Sequence, residues 1–524
     1  MVDFKLTYAT MFNPPEELHT RFEAALAKVK AGLGAEHGMF IGGKDVFTAE
    51  KFEGRNPANT DVVLGTFQKG DEKSAQAALA AARKAFPVWA HTPWQERVIL
   101  LRKAAEKIDE RLFEIGAVLS LEVGKNRMEA LGDIAETADL IRYACSQMEK
   151  NDGYIVAMGK DPLLGYEASN VSILRPYGVW LVISPFNFPA ALAGGPSGAA
   201  LAAGNTVVMK PATDTPWTGR LLAECLRDAG LPEGVVNCVT GPGRTLGQAL
   251  IDSPEVDGVT FTGSFEVGMG IFRAFSQCKW VHPVILEMGG KNPAIVSRHA
   301  DLERAAIGIL RSAFGLQGQK CSAASRLYIE APVYDELTTR LKELAGKLVI
   351  GDPTERQVYL GPVINQKSYT DFKNFNEEIS QSGGKFLTGG HILSGNPYDK
   401  GYFCEPTFVT DLPLDHRLWK QEMFVPITTI ARVKNLDEAM KYANSVDYGL
   451  TAGFYGSEEE ASWFFDNIQA GVTYANRPQG ATTGAWPGFQ PFGGWKASGS
   501  SGKNAGGHYY LPLYLHEQIH TLIK

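Results

Sequence analysis

No C-x-x-C pair, no apolar run as long as a membrane span and no excess of basic charge occurs in this chain. The six cysteines (Cys145, Cys225, Cys238, Cys278, Cys321 and Cys404) stand singly, which argues against a zinc site or disulfide framework and for a reducing cytoplasm. A formal net charge of −7 excludes a general nucleic-acid binder and gives no hold on a membrane surface. Asp3 and Lys5 put charge into the start of the chain, so no signal peptide is expected. No internal repeat is evident. What is present is ordinary for a globular enzyme: 44% hydrophobic and 21% charged residues, in 524 residues that suffice for two or three domains.

Residues 1–37 read as a helical extension. Asn13, Pro14 and Glu16 make a helix start, and Leu18, Phe22, Leu26 and Val29 share one face. Short β-like runs at 39–41 and 62–64 precede helices expected near 71–86, 94–122 and 127–149, divided by Pro87, Pro93 and Gly124. Residues 154–175 read as a protruding hairpin of the kind that pairs with another subunit. From 178 to 287 short apolar runs recur about a helix apart, as buried parallel strands do. This predicts a doubly wound dinucleotide-binding domain, followed by a second α/β lobe and an extended, aromatic C-terminal arm.

Phe314 to Ile329 sets one thiol, Cys321, between a flexible Gly-Gln segment and a β-prone run. Upstream, Glu287 ends an apolar strand and is followed by Gly289 and Gly290. A cysteine that attacks carbon needs a thiolate, N–H donors for the new oxyanion and a base for a later water. These two stretches hold candidates for all three, against the bland reading of a buried inert thiol. Ser184 to Pro189 ends another strand and flanks Asn187 with aromatics and prolines, as an oxyanion donor or a bare turn residue. Lys210 stands at a strand's carboxyl end, where open sheets bind ligands and where a surface lysine also fits. Gly263 and Ser264 fall at a helix N-terminus, suited to a phosphate and equally to a plain cap. The glycine turn Gly241 to Gly247 does not have the G-x-G-x-x-G spacing.

The ordered set FNFP (186–189), KP (210–211), FTGS (261–264), EMGGKNP (287–293), GQKC (318–321), EMFVP (422–426) and PFGG (491–494) resembles the aldehyde dehydrogenase superfamily, from about residue 38 to the C-terminus. The resemblance implies an α/β fold with a Rossmann-type cofactor domain (38–153 and 176–286), an α/β catalytic domain (287–496) and a β oligomerisation arm (154–175 and 497–524). It casts Cys321 as the nucleophile, Glu287 as the residue that activates water, and Asn187 as the oxyanion amide beside the Cys321 backbone N–H. It places the cofactor against Ser184, Pro185, Phe186, Lys210, Gly263, Ser264, Glu422 and Phe424, with no metal. NAD is the implied cofactor and NADP is allowed, since Thr213 stands where many members carry a ribose-binding Glu. Phe265, after Ser264, departs from the usual small polar residue.

Thr482 to Ala485, Gly488 to Gly494, Ser498-Gly499 and Gly506 to Tyr509 are similar to the Δ1-pyrroline-5-carboxylate dehydrogenase branch, which oxidises L-glutamate γ-semialdehyde to L-glutamate in proline degradation. In that branch Ser322, Gly484 and Ala485 would grip the substrate α-carboxylate, while Phe186 and Phe492 sandwich its stem. The chain has no room for a proline dehydrogenase domain, so a monofunctional homo-oligomer is expected. Two other readings are a dehydrogenase of another small aldehyde and a catalytically silent binding protein. Retention of Cys321, Glu287 and Asn187 together counts against the second.

Overall fold

A computed structural model describes residues 14–162, 165, 167–480 and 486–523. Asn13 lies outside them. The helix behind it spans Glu16–Ala31 and buries Leu18, Phe22, Leu26 and Val29, as their spacing requires. The next helix, Glu72–His91, runs through Pro87. The stretch expected as one helix over 94–122 is two, Trp94–Glu110 and Leu112–Val123. They part at Arg111, whose guanidinium is drawn to Glu114 and Glu224 at 2.8 and 2.9 Å.

The first seven-stranded sheet has the order Val284–Met288, Gly258–Gly263, Val179–Ile183, Thr206–Lys210, Val236–Cys238, Met39–Ile41, Lys44–Val46. All pairs up to Val236–Cys238 are parallel, and the last two strands are antiparallel additions. Chain order reverses between Val179–Ile183 and Gly258–Gly263, the place where open α/β sheets leave a crevice for a ligand. The register pairs Ile183 with Lys210, Phe261 with Ile183 and Thr262 with Glu287. Ser184, Lys210, Ser264 and Glu287 therefore come to one edge.

The second sheet, also seven-stranded, has Ala324–Glu330 and Asn292–Val296 at its centre. The chain leaves the carboxyl end of Val284–Met288, turns through Gly289, Gly290 and Lys291, and enters the second sheet at Asn292. Ile155–Ala157, Ala168–Pro176 and Leu515–Ile523 form a separate antiparallel sheet, so the hairpin gains the C-terminal strand as a third member. Residues 497–514 do not belong to that arm. Met288 N–H donates to the Ser498 carbonyl at 2.8 Å, and Ser500 N–H to that of Leu286 at 3.1 Å, which lines the segment along the first sheet. Tyr510, Leu511 and Tyr514 then enter the core.

Beneath the site lies a fully buried ion pair, Lys125 Nζ to Asp133 Oδ2 at 2.9 Å. Asp133 also accepts from the Ala191 N–H at 2.8 Å, which pins the helix following Asn187. Lys125 lies 3.8 Å from the centroid of the Phe188 ring. Lys125→Met should strand the Asp133 charge and lower stability by roughly 3–5 kcal/mol, read as a fall in the denaturant midpoint at unchanged slope.

Candidate active site

Cys321 is delivered by backbone held in an unusual path. Leu316, Gln317 and Gly318 all have positive φ (47°, 55° and 68°), and at the first two this costs roughly 1–3 kcal/mol each. The path is held from outside. Gln317 Nε2 donates to the carbonyls of Gly124 and Pro362 at 2.9 and 2.8 Å, and Leu316 N–H donates to Glu129 at 3.1 Å. Glu129 also pairs with Lys320 at 2.6 Å. On the far side Asn292 Nδ2 donates to the Cys321 carbonyl at 2.6 Å and the Ala323 carbonyl at 2.9 Å. The glycines before Asn292 are required by contact. A Cβ on Gly290 would stand 2.4 Å from the Cys321 carbonyl oxygen, and one on Gly289 2.1 Å from the Glu422 carboxylate.

Cys321, Ser322 and Glu287 line one cavity, a cleft enclosing about 920 Å³ of space with its mouth included. Phe188, Phe492, Leu140 and Tyr510 supply further wall. Glu287 is 8% exposed, and its carboxylate accepts no hydrogen bond from any described residue. Burial pushes its carboxyl well above the ordinary carboxylate range. The Cys321 thiol is pushed up to about 12 by burial first, then by the Glu422 and Glu287 charges. The backbone N–H groups of Ser322 and Cys321 at its sulfur act in the opposite sense.

Asn187 stands one layer behind the cavity. Its Nδ2 donates to the Gln319 carbonyl at 2.9 Å, two residues before the cysteine. Phe186 turns its ring edge-on to Phe424, with centroids 5.8 Å apart, and Phe188 is the phenyl beside Phe492 in the cavity wall. Gly484 and Ala485 lie outside the described residues. The pattern-based reading missed Glu136, Leu140, Tyr143 and Gln147, which line the cavity from the helix Arg127–Lys150. Their spacing of four, three and four is a single helical stripe, so periodicity carried the signal, but not which surface the stripe faces.

The residues along the first sheet's edge fit a dinucleotide. Among the described residues Ser184 Oγ is buried without a hydrogen-bond partner, and Lys210 Nζ reaches only its neighbour's carbonyl, Pro211, at 3.2 Å. Burial lowers the Lys210 ammonium to about 8. Ser264 caps the helix Phe265–Phe275 and leaves that helix's first turn at the crevice beside Gly263. Glu422 accepts from the Gly290 N–H at 2.8 Å and is raised by burial to about 7. Thr213 donates its hydroxyl to the Gly241 carbonyl at 3.3 Å. Among the described residues no cluster of His, Cys, Asp or Glu has the arrangement of a metal site, and no helix is long and apolar enough to cross a membrane.

The pattern of the aldehyde dehydrogenase family matches residues 46–519. The chain belongs to that family. A 1-pyrroline-5-carboxylate dehydrogenase of Geobacillus sp. (strain WCH70) is 39% identical over 503 residues, 94% of each chain. The Bacillus subtilis (strain 168) protein named 1-pyrroline-5-carboxylate dehydrogenase 2 is 39% identical over 499 residues, again 94% of each. The crystal structure of a Thermus 1-pyrroline-5-carboxylate dehydrogenase with bound NAD superposes with a TM-score of 0.92, at 36% identity and full coverage of both chains. This chain is an aldehyde dehydrogenase-type oxidoreductase.

With the Cys321 thiol raised to about 12, its thiolate fraction should grow about tenfold per pH unit throughout the neutral and mildly alkaline range. Alkylation of the cofactor-free enzyme, corrected with Cys321→Ser, should therefore rise from pH 7 to 10 without levelling. A plateau near pH 8 would contradict the burial argument.

Proposed function

We propose that this enzyme oxidises L-glutamate γ-semialdehyde, the open form of Δ1-pyrroline-5-carboxylate, to L-glutamate in proline degradation, with NAD as cofactor. One observation carries this reading: the thiol of Cys321, the buried carboxylate of Glu287 and a second carboxylate, Glu136, line the same largely apolar cavity. The relatives' names support the substrate, a short chain bearing an ammonium and a carboxylate. Glu136 matches the ammonium in charge, and Ser322 with the segment 484–485 would take the carboxylate. Phe188 and Phe492 would hold the methylenes between them.

The sulfur of Cys321 bonds to the aldehyde carbon, and the carbonyl oxygen takes up negative charge. The backbone N–H of Cys321 would meet it, one such donor contributing about 3 kcal/mol in a water-poor site, while Asn187, whose Nδ2 donates to the Gln319 carbonyl, would act by holding the turn before the cysteine. Ser184, Lys210, Gly263, Ser264, Glu422 and Phe424 would hold NAD, which when bound would supply the acceptor for the hydride leaving that carbon. Cys321 is then left as a thioester. Glu287 takes a proton from the water that attacks the acyl carbon, releasing the carboxylate product and the thiol. A carboxyl raised by burial suits this duty, since it takes up and returns a proton more readily than an ordinary carboxylate.

Thr213 presents no carboxylate to repel a 2′-phosphate, so NADP is accepted alongside NAD. We place the enzyme in the cytoplasm, where its six unpaired thiols are stable. We also read it as a homo-oligomer joined through the antiparallel sheet, which exposes Ile155, Val156, Ile519 and Leu522 across its two faces.

Cys321→Ala should abolish aldehyde oxidation yet bind NAD by calorimetry. Glu287→Gln should keep a rapid burst of NADH and lose steady-state turnover by roughly 10²–10⁴-fold; unchanged deacylation would remove Glu287 from the base role. Glu136→Gln should raise KM for glutamate semialdehyde about tenfold and leave KM for propanal in place. Equal changes for both aldehydes would count against an ammonium contact.

A further inference from the structure

The turn that delivers Cys321 is gripped at both ends by one carboxylate. Leu316, Gln317 and Gly318 have φ of 47°, 55° and 68°, and residues with side chains keep such angles only where neighbours impose them. Glu129 Oε2 accepts from the Leu316 N–H at 3.1 Å and from Asn126 Nδ2 at 3.2 Å. Its Oε1 accepts from Lys320 Nζ at 2.6 Å. Lys320 directly precedes Cys321, and its side chain is buried. The pair is fitted closely against the backbone: a Cβ on Gly315 would stand 2.5 Å from Lys320 Nζ and 3.0 Å from Glu129 Oε1.

The other contacts from outside the turn each hold it at one residue. Gln317 Nε2 donates to the Gly124 and Pro362 carbonyls, Gln319 Oε1 accepts from the Ile364 N–H at 3.0 Å, and Asn187 holds the Gln319 carbonyl. Glu129 lies in the first turn of the helix Arg127–Lys150, whose second turn carries Asp133, bonded to the Ala191 N–H. One helix end therefore fixes both the turn before the thiol and the segment behind Asn187.

We propose that Glu129 is a positioning residue for Cys321: its carboxylate, bound to Leu316 and Lys320 at once, holds the left-handed turn and so sets where the thiol meets the aldehyde. Asn292 Nδ2 ties the Cys321 carbonyl on the other side at 2.6 Å. With that carbonyl fixed, relaxation of the turn swings the residue about it and displaces the sulfur. A misplacement of about 1 Å costs an attacking group on the order of 10²-fold in rate. This inference rests on Cys321 being the nucleophile.

Rapid mixing with glutamate semialdehyde and NAD measures the NADH burst, and iodoacetamide labelling of Cys321 reports its exposure in the same variants. Glu129→Gln keeps an acceptor for the Leu316 N–H but turns an amide N–H₂ toward the Lys320 ammonium. It should slow the burst roughly 10–10²-fold, with KM for the aldehyde and the labelling rate within about twofold of the parent enzyme. Adding Lys320→Met removes the facing ammonium and should restore the burst to within about fivefold, a rescue that lost packing would not give. Glu129→Ala offers the Leu316 N–H no acceptor and should stay slow with or without Lys320→Met. Bursts within about twofold of the parent in both Glu129→Gln and Glu129→Ala overturn the inference. A slow burst with faster labelling and a lowered Tm, unrelieved by Lys320→Met, overturns it in favour of a packing role. Undiminished turnover by Cys321→Ala overturns the nucleophile assignment and this inference with it.

Discussion

Asn292 joins two sheets at the point where the chemistry occurs. Its amide nitrogen holds the carbonyls of Cys321 and Ala323, and its oxygen accepts from the Thr451 N–H at 3.0 Å. Three residues separate the end of the strand that carries Glu287 from Asn292, so the Cys321 thiol and the Glu287 carboxylate are set relative to each other by one short piece of backbone and one buried amide. The glycines at 289 and 290 let that backbone pass within contact of the Cys321 carbonyl and the Glu422 carboxylate. A side chain at Gly290 would collide with the backbone of Cys321 and displace the thiol relative to Glu287.

Burial does the electrostatic work around this joint. Glu287, Glu422, Lys291 and Cys321 are each shifted toward their neutral forms, with desolvation as the first cause in every case. Lys291 is brought down to about 7, and its ammonium has no hydrogen-bond partner among the described residues. Such a site is poor at holding fixed charges, and Glu422 and Lys291, each brought to about 7, exchange protons near neutrality. Its rigidity comes from elsewhere, from the Lys125–Asp133 pair and the Glu129 contacts that hold the strained turn before Cys321.

The parallel-strand rhythm from 178 to 287 was legible because strands buried on both faces are runs of apolar residues, and their carboxyl ends are marked by Ser184, Lys210, Gly263 and Glu287. Cys321 and Glu287 stood out as candidates because each sits in a stretch whose glycines and polar residues have no other evident use. Helix ends were less so. Pro87 is tolerated within its helix, and Arg111 breaks another through ion pairs with Glu114 and Glu224, partners that propensity does not see. The role of residues 497–514 was also hidden, since a segment that runs beside an existing strand through a few serine and backbone contacts has no periodicity of its own.

Local chemistry in the sequence by itself determined which groups are available: one thiol in a flexible turn, one carboxylate at a strand end, a lysine and a serine where parallel strands finish. These follow from short-range rules of φ, ψ and side-chain type. Only the tertiary structure decided that Phe188 faces the cavity while Phe186 packs on Phe424, that Asn187 stands behind Gln319, and that Glu136 and Tyr510 join Glu287 around one space. The reason is physical. Which face of a helix or turn meets a cavity is set by packing between elements more than a hundred residues apart, and no local pattern carries that information.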